Sequence, residues 1–219
     1  MSKVEATVIG LVIGLLCPAA LFVLFWWMAA AVAIYNVLPV TDSCIAIAAF
    51  TGLAAGLALD VLYLKRWTSR FYHAGAQCMV LVYLFWSAVA VAFFMGLPFG
   101  NLVLGTLAGL YVGRRQHHAG ASTDVFASAA RNASVFTALV TGVEALPIGL
   151  LALREGIVLE TLRATAGLAP SAASGPLGVV LVITLSVLLV VIQFASTHTA
   201  AVIAFRPGRQ TEPTPTSLS

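Results

Sequence analysis

Charge is scarce in this chain. Only 9% of its 219 residues are Asp, Glu, Lys or Arg, against about 25% in a typical soluble domain. So few charges cannot cover the outside of a chain folded in water. That outside must face something apolar, and lipid is the medium that fits. The 61% hydrophobic content and the mean hydropathy of +1.02 agree. A net charge of +3 supplies no basic field for nucleic acid, so no nucleic-acid partner is expected.

Cysteine is nearly missing. Cys17, Cys44 and Cys78 form an odd, widely spaced set, which excludes a disulfide framework and a CxxC metal or redox motif. They read as small buried hydrophobes. Catalytic signatures are missing as well. There is no HExxH, no GxSxG and no Gly-rich phosphate loop ending in Lys-Ser or Lys-Thr. The polar loops are too short to hold a soluble domain, so the chain is not expected to hydrolyse ATP. His117-His118 is a poor metal site, because adjacent residues point apart and no Cys or third His lies close in the sequence. With Arg114 and Arg115, these histidines suit lipid headgroups instead. No cofactor and no metal are expected.

What is present is apolar length. A membrane helix needs about 20 apolar residues. Six stretches serve: Ala6–Tyr35, Cys44–Leu64, Gln77–Leu97, the shorter Pro98–Gly113, Ala133–Leu153 and Gly178–Phe205. The first is no export signal, since its apolar run continues past Trp26 and Trp27, far beyond a signal's core. With the N-terminus inside, nine of the eleven basic residues are cytoplasmic: Lys3, Lys65, Arg66, Arg70, Arg114, Arg115, Arg131, Arg206 and Arg209. Only Arg154 and Arg163 stay outside. This alternation obeys the positive-inside rule for six spans, and a count of five or seven breaks it. The expected fold is therefore an all-α, polytopic membrane helical bundle of six transmembrane helices. Both termini are cytoplasmic, in a plasma (inner) membrane.

Residues 1–210 read as one transmembrane domain and 211–219, with Pro213 and Pro215, as a disordered tail. Ser122-Thr123-Asp124 resembles a helix start, so the fifth helix is expected to begin before its apolar stretch. Arg154–Arg163 could form a short amphipathic helix on the outer surface. Pro18 is expected to kink the first helix. Leu38-Pro39, Leu97-Pro98 and Leu146-Pro147 form a weak echo of three related hairpins. The Asn132-Ala-Ser134 glycosylation pattern falls on the inner side and is discounted.

Five pairs of glycines stand four apart, where chance gives roughly 1.5, and small residues at that spacing let membrane helices approach closely. Gly10 and Gly14, Gly52 and Gly56, and the ridge Gly105, Gly109 and Gly113 are the expected packing surfaces. Asp60 continues the second of these and Asn101 precedes the third, so both should point inward.

Glu144 is the residue on which chemistry is expected to turn. It lies roughly 16 Å into the fifth stretch at 1.5 Å per residue, near mid-bilayer. An ionisable group there costs at least about 2.5–3.5 kcal/mol, so it is expected to face the protein interior. Ser134, Thr137, Thr141 and Glu144 form one polar stripe, and Pro147 loosens the backbone beside it. Gln193 sits at matching depth in the sixth stretch, with Ser186 and Thr197 on its face and His198 next to it. Glu144, Thr141, Thr137, Gln193, Thr197, His198 and Asp60 are the candidate substrate-binding residues, and a Glu144–Gln193 hydrogen bond is expected if the last two helices touch. The competing readings are structural: Glu144 as a protonated tie between helices, Asp60 as a snorkelling ion pair with Lys65, and His198 as an interior histidine.

These features suit a small membrane transporter, or the substrate-binding subunit of one, with a small-molecule cargo. In size and helix number the chain is similar to the substrate subunits of energy-coupling-factor transporters, a likeness of architecture alone. A non-catalytic subunit of a membrane complex, with a membrane-protein partner or further copies of itself, is the alternative. An intramembrane lipid-modifying enzyme stands third, since no nucleophile is evident beside Glu144.

Overall fold

The computed structural model describes residues 3–39, 41–93, 99–154 and 176–205. Among these, regular structure is entirely helical: α1 (Lys3–Ile34), α2 (Asp42–Arg70) with a 3₁₀ turn at Phe71–His73, α3 (Ala76–Phe93), α4 (Phe99–His118), α5 (Thr123–Arg154) and α6 (Pro176–Ala204). All helices except α4 are long and apolar enough to cross a membrane, five in number. Their outer faces carry bare hydrophobic side chains, Val61 at 88% and Val143 at 70% exposure among them. Such a surface is compatible with an integral membrane protein.

Helix ends follow local chemistry. The apolar run of α4 stops at Gly113, yet the helix continues through His118. Its stop signal is Gly120, at φ +62°. There the Gly120 amide donates to the His117 carbonyl and the Ala121 amide to that of Gln116, the paired bonds of a left-handed helix cap. Arg115, His117 and His118 lie in the last turn, where positive charge suits the exposed carbonyls. α1 ends the same way, with Asn36 at φ 50°. α5 starts at Thr123, ten residues ahead of its apolar stretch. Pro18 and Pro147 both lie inside continuous helices. Each still removes one backbone donor, freeing the carbonyls of Gly14 and Val143.

The Leu-Pro echo is not structural. Pro39 follows α1 in a connection, Pro147 is mid-helix, and Leu97-Pro98 lies outside the described residues. So do residues 155–163, Gly96 and the tail.

The chain divides into two compact units, Met1–Met79 and Val80–Ser219. In the first, α1 and α2 pack antiparallel along glycine. A Cβ on Gly52 would overlap the Leu21 carbonyl, and one on Gly56 the backbone of Pro18. Gly10 and Gly14 face Thr68 and Leu64. Both glycine pairs are thus spent on one crossing. Tyr72 donates a hydrogen bond to Glu5 at 2.7 Å, joining the far end of α2 to the start of α1.

In the second unit, the ridge of α4 lies on α6. Gly105, Gly109 and Gly113 meet Gln193, Thr197 and Ala201 in turn. The offset stays constant, so the two helices run parallel. α5 crosses α6 antiparallel, with Gly142 against Val190 and Gly149 against Val182. Phe126 and Phe205 stack at 4.0 Å over Ala130 and Ala201 and close one end of this pair. Without glycine, α3 makes no comparably close backbone approach to α4, α5 or α6. Side chains hold it instead, among them Tyr83 edge-on to Phe136 at 5.3 Å.

Candidate functional site

In membrane helices a hydroxyl is commonly satisfied by the carbonyl one turn back. Ser134 follows this rule and donates to Ala130 at 2.8 Å. Thr137 bonds the Ser134 carbonyl at 3.2 Å and lies 2.9 Å from the Thr197 hydroxyl, tying α5 to α6. Thr141, one turn on, has no partner. Asn101, Ser87, Ser134, Thr137, Thr141, Gln193 and Thr197 are all fully buried. The second unit therefore has a polar interior inside an apolar exterior.

Glu144 occupies one end of this column. Its carboxylate oxygens lie 2.8 and 2.9 Å from the Ser87 hydroxyl on α3. The Asn101 amide on α4 donates to Glu144 Oε2. Ser87 in turn lies 3.0 Å from Asn101 Oδ1. The three side chains close a triangle joining α3, α4 and α5. The stem of Glu144 lines a shallow apolar groove of about 300 Å³ beside Leu84 and Val143.

The expected bond between Glu144 and Gln193 is not formed, although α5 and α6 are neighbours. Register explains this. Thr137 meets Thr197, so on antiparallel helices Gln193 is level with Thr141, a turn short of Glu144. The Gln193 amide instead lies over Gly105, and neither of its polar atoms has a hydrogen-bond partner. The Tyr83 and Thr141 hydroxyls adjoin each other near Glu144, and both are buried without a well-formed bond. His198 stacks on Phe194 at 5.9 Å with its Nδ1 buried and unpartnered.

Asp60 belongs to the first unit. It is buried at 8% exposure between α2 and α1, beside Gly14 and Cys17. Neither oxygen makes a well-formed hydrogen bond, and the Cys17 thiol adjoins the carboxyl group. The ion pair with Lys65 is not made, because Asp60 turns toward α1 while Lys65 is exposed. Cys44 and Cys78 are exposed too, against the expectation of buried thiols; they lie on outward faces of their helices. Among the described residues no three His, Cys, Asp or Glu side chains converge on one point.

An unpaired buried group stabilises nothing, which gives a test. Asp60→Asn and Asp60→Ala are expected to unfold no earlier than the wild type, because leaving a buried polar atom unmet costs about 1–3 kcal/mol. Thermal unfolding in detergent checks this. A loss of several degrees in both variants would mean that Asp60 has a partner in the folded protein.

Ser87 was missed by sequence reading. A single serine in an apolar helix is unremarkable, but Tyr83 and Ser87 stand four apart, and that spacing marks a polar face on α3. Asn101 was legible from its place on the glycine ridge. Comparison with family models, with curated proteins and with solved structures gave no match. Function must therefore be argued from geometry.

Proposed function

We propose that this chain is a small multi-pass membrane transporter, or the cargo-binding subunit of one. It has six spans and cytoplasmic termini in a plasma (inner) membrane. Its cargo is a small molecule, bound through the polar column around Glu144. Supporting the six-span topology, α4 runs parallel to α6 and antiparallel to α5, as alternate crossings require. α4, the least apolar helix, crosses with its polar face against α5 and α6.

One observation carries the transport reading. Five buried polar atoms in the second unit lack a well-formed hydrogen bond: Tyr83 Oη and Thr141 Oγ1, which adjoin each other, both Gln193 amide atoms and His198 Nδ1. Polar groups buried in an apolar surround are normally paired. A purely structural tie satisfies its own groups, as Thr137 and Thr197 do. Groups left unmet on α3, α5 and α6 suit a molecule that comes and goes.

Membership of a membrane complex is the second reading, with a protein partner or further copies of the chain. The triangle of Ser87, Asn101 and Glu144 favours it, since that triangle is complete without a cargo. An enzyme stands third. Ser87 does lie beside Glu144, but it is fully buried, so a substrate has no approach to its hydroxyl.

Native mass spectrometry of the chain released from its own membrane in mild detergent separates the first two readings. Transport predicts a bound small molecule whose occupancy falls at least tenfold in Glu144→Gln. A stoichiometric protein partner, with no small molecule, would establish the complex reading instead.

A further inference from the structure

We infer that Glu144 holds an exchangeable proton, and that this proton latches α3 to α4. The inference rests on the transport reading only in one respect: if the chain is a carrier, the proton is its coupling ion.

The number of hydrogens in the triangle requires this proton. The triangle has three edges: Ser87 to Asn101, Ser87 to Glu144, and Asn101 to Glu144. Each edge needs one hydrogen to be a hydrogen bond. Ser87 brings one. Asn101 faces Ser87 with its oxygen and Glu144 with its nitrogen, so it also brings one. Two hydrogens cannot serve three edges, and the third must sit on Glu144. Reversing the Asn101 amide, whose two ends are assigned rather than observed, does not change the count. Asn101 then donates to Ser87, Ser87 donates to Glu144, and the Asn101–Glu144 edge still needs a hydrogen from the carboxyl group.

With that proton the ring closes. Glu144 O–H donates to Ser87 Oγ, Ser87 O–H to Asn101 Oδ1, and Asn101 N–H to Glu144 Oε2. When the Glu144 O–H bond breaks, its proton passes to a water molecule. The hydroxyls of Thr141 and Tyr83, which adjoin each other one turn from the ring, are polar groups that such a water can bond. The Ser87 hydrogen then turns to the carboxylate, and Asn101 Oδ1 loses its only donor in the ring. The edge that opens is the one joining α3 to α4.

This matters because α3 is the helix held by side chains. Glycine contacts lock α4 and α5 onto α6, whereas α3 has none. Losing the Ser87–Asn101 bond leaves α3 without its direct tie to α4, held at this site through Glu144 of α5 alone. The groups that bear on the proton are Tyr83 from α3 and the neutral Asn101 from α4. His198, the titratable group of the described part of α6, is level with Phe136, about two turns away.

The test uses the full chain in lipid nanodiscs without cargo. Infrared difference spectra of wild type against Glu144→Gln report whether Glu144 is an acid or a carboxylate. A carboxylic-acid carbonyl band, present in the wild type near neutral pH and lost in the variant, is expected. In the same samples, deuterium uptake by α3 should rise at least tenfold as higher pH removes the band. It should stay flat in Glu144→Gln, whose amide supplies the third hydrogen permanently. Only carboxylate bands at neutral pH, or α3 uptake that ignores loss of the band, would overturn the inference. A chain with no acid band that still binds its cargo leaves the transport reading standing. A chain with the band but no cargo keeps the latch and loses the transport reading.

Discussion

Gly109→Leu is expected to abolish folding of the second unit, or to cost it about 3 kcal/mol or more. A Cβ at this position would overlap the Thr197 carbonyl and stand 3.0 Å from Ala200 Cβ. The obstacle is backbone, so no side chain can rotate away. Relief requires α4 and α6 to separate. Gly105 and Gly113 share their offset, so separation at one glycine loosens the contacts at all three. Inserting atoms into a packed interior costs about 1–3 kcal/mol even where side chains can yield. Native stability as a whole is only about 5–15 kcal/mol. Yield and thermal unfolding in detergent measure the loss. Gly75→Leu is the control, because nothing lies within 4 Å of a Cβ there. A Gly109→Leu protein that melts with the wild type would mean that α4 does not lie on α6. The glycine ridge is occupied by the chain's own α6, so its disruption is first an intramolecular event.

Asn101→Leu is expected to be the most damaging change at the polar site, because each buried polar group it leaves unmet costs about 1–3 kcal/mol. Asn101 is fully buried and engages two partners at once. Leucine removes a donor from Glu144 and an acceptor from Ser87, and it supplies nothing in return. Glu144→Gln should behave oppositely. Its amide can donate to Ser87 and accept from Asn101, so every edge of the triangle keeps a hydrogen. A stability within about 1 kcal/mol of wild type is expected. Unfolding of both variants, measured side by side, reads the difference. Equal losses would show that Glu144 contributes through charge rather than through the bonds of the ring.

The helices were legible because membrane spans are written in run length. All six apolar stretches contain the core of an observed helix. The ends were misread where another signal outlasts apolarity. α4 runs five residues past Gly113 to a glycine cap. The start of α5, ten residues ahead of its apolar stretch, was by contrast legible in Ser122-Thr123-Asp124. Glycine spacing located the tight crossings but not their partners, since a ridge specifies distance of approach and not which helix approaches. Glu144 was legible as a lone carboxylate in an apolar run. Its partners were not, because depth alone pairs it with Gln193, while the α5–α6 register sets Gln193 a turn away. Asp60 was correctly placed inside, and its proximity to Lys65 in sequence was misleading. A side chain on a helix points where its face points, whatever charge follows a turn later.

The parallel seating of α4 on α6 also bears on how the chain is made. α4 is the one helix too polar to favour the bilayer unaided. The surface that shelters its glycine face lies in α6, which begins at Pro176 and leaves the ribosome only after α5. For the time taken to synthesise that interval, α4 has no permanent seat in lipid. In the proposed six-span chain it is expected to stay beside the insertion machinery, or against α5, until α6 follows. A chain that stops before α6 is expected to leave the glycine face of α4 uncovered, which faster proteolysis of the truncated chain would reveal.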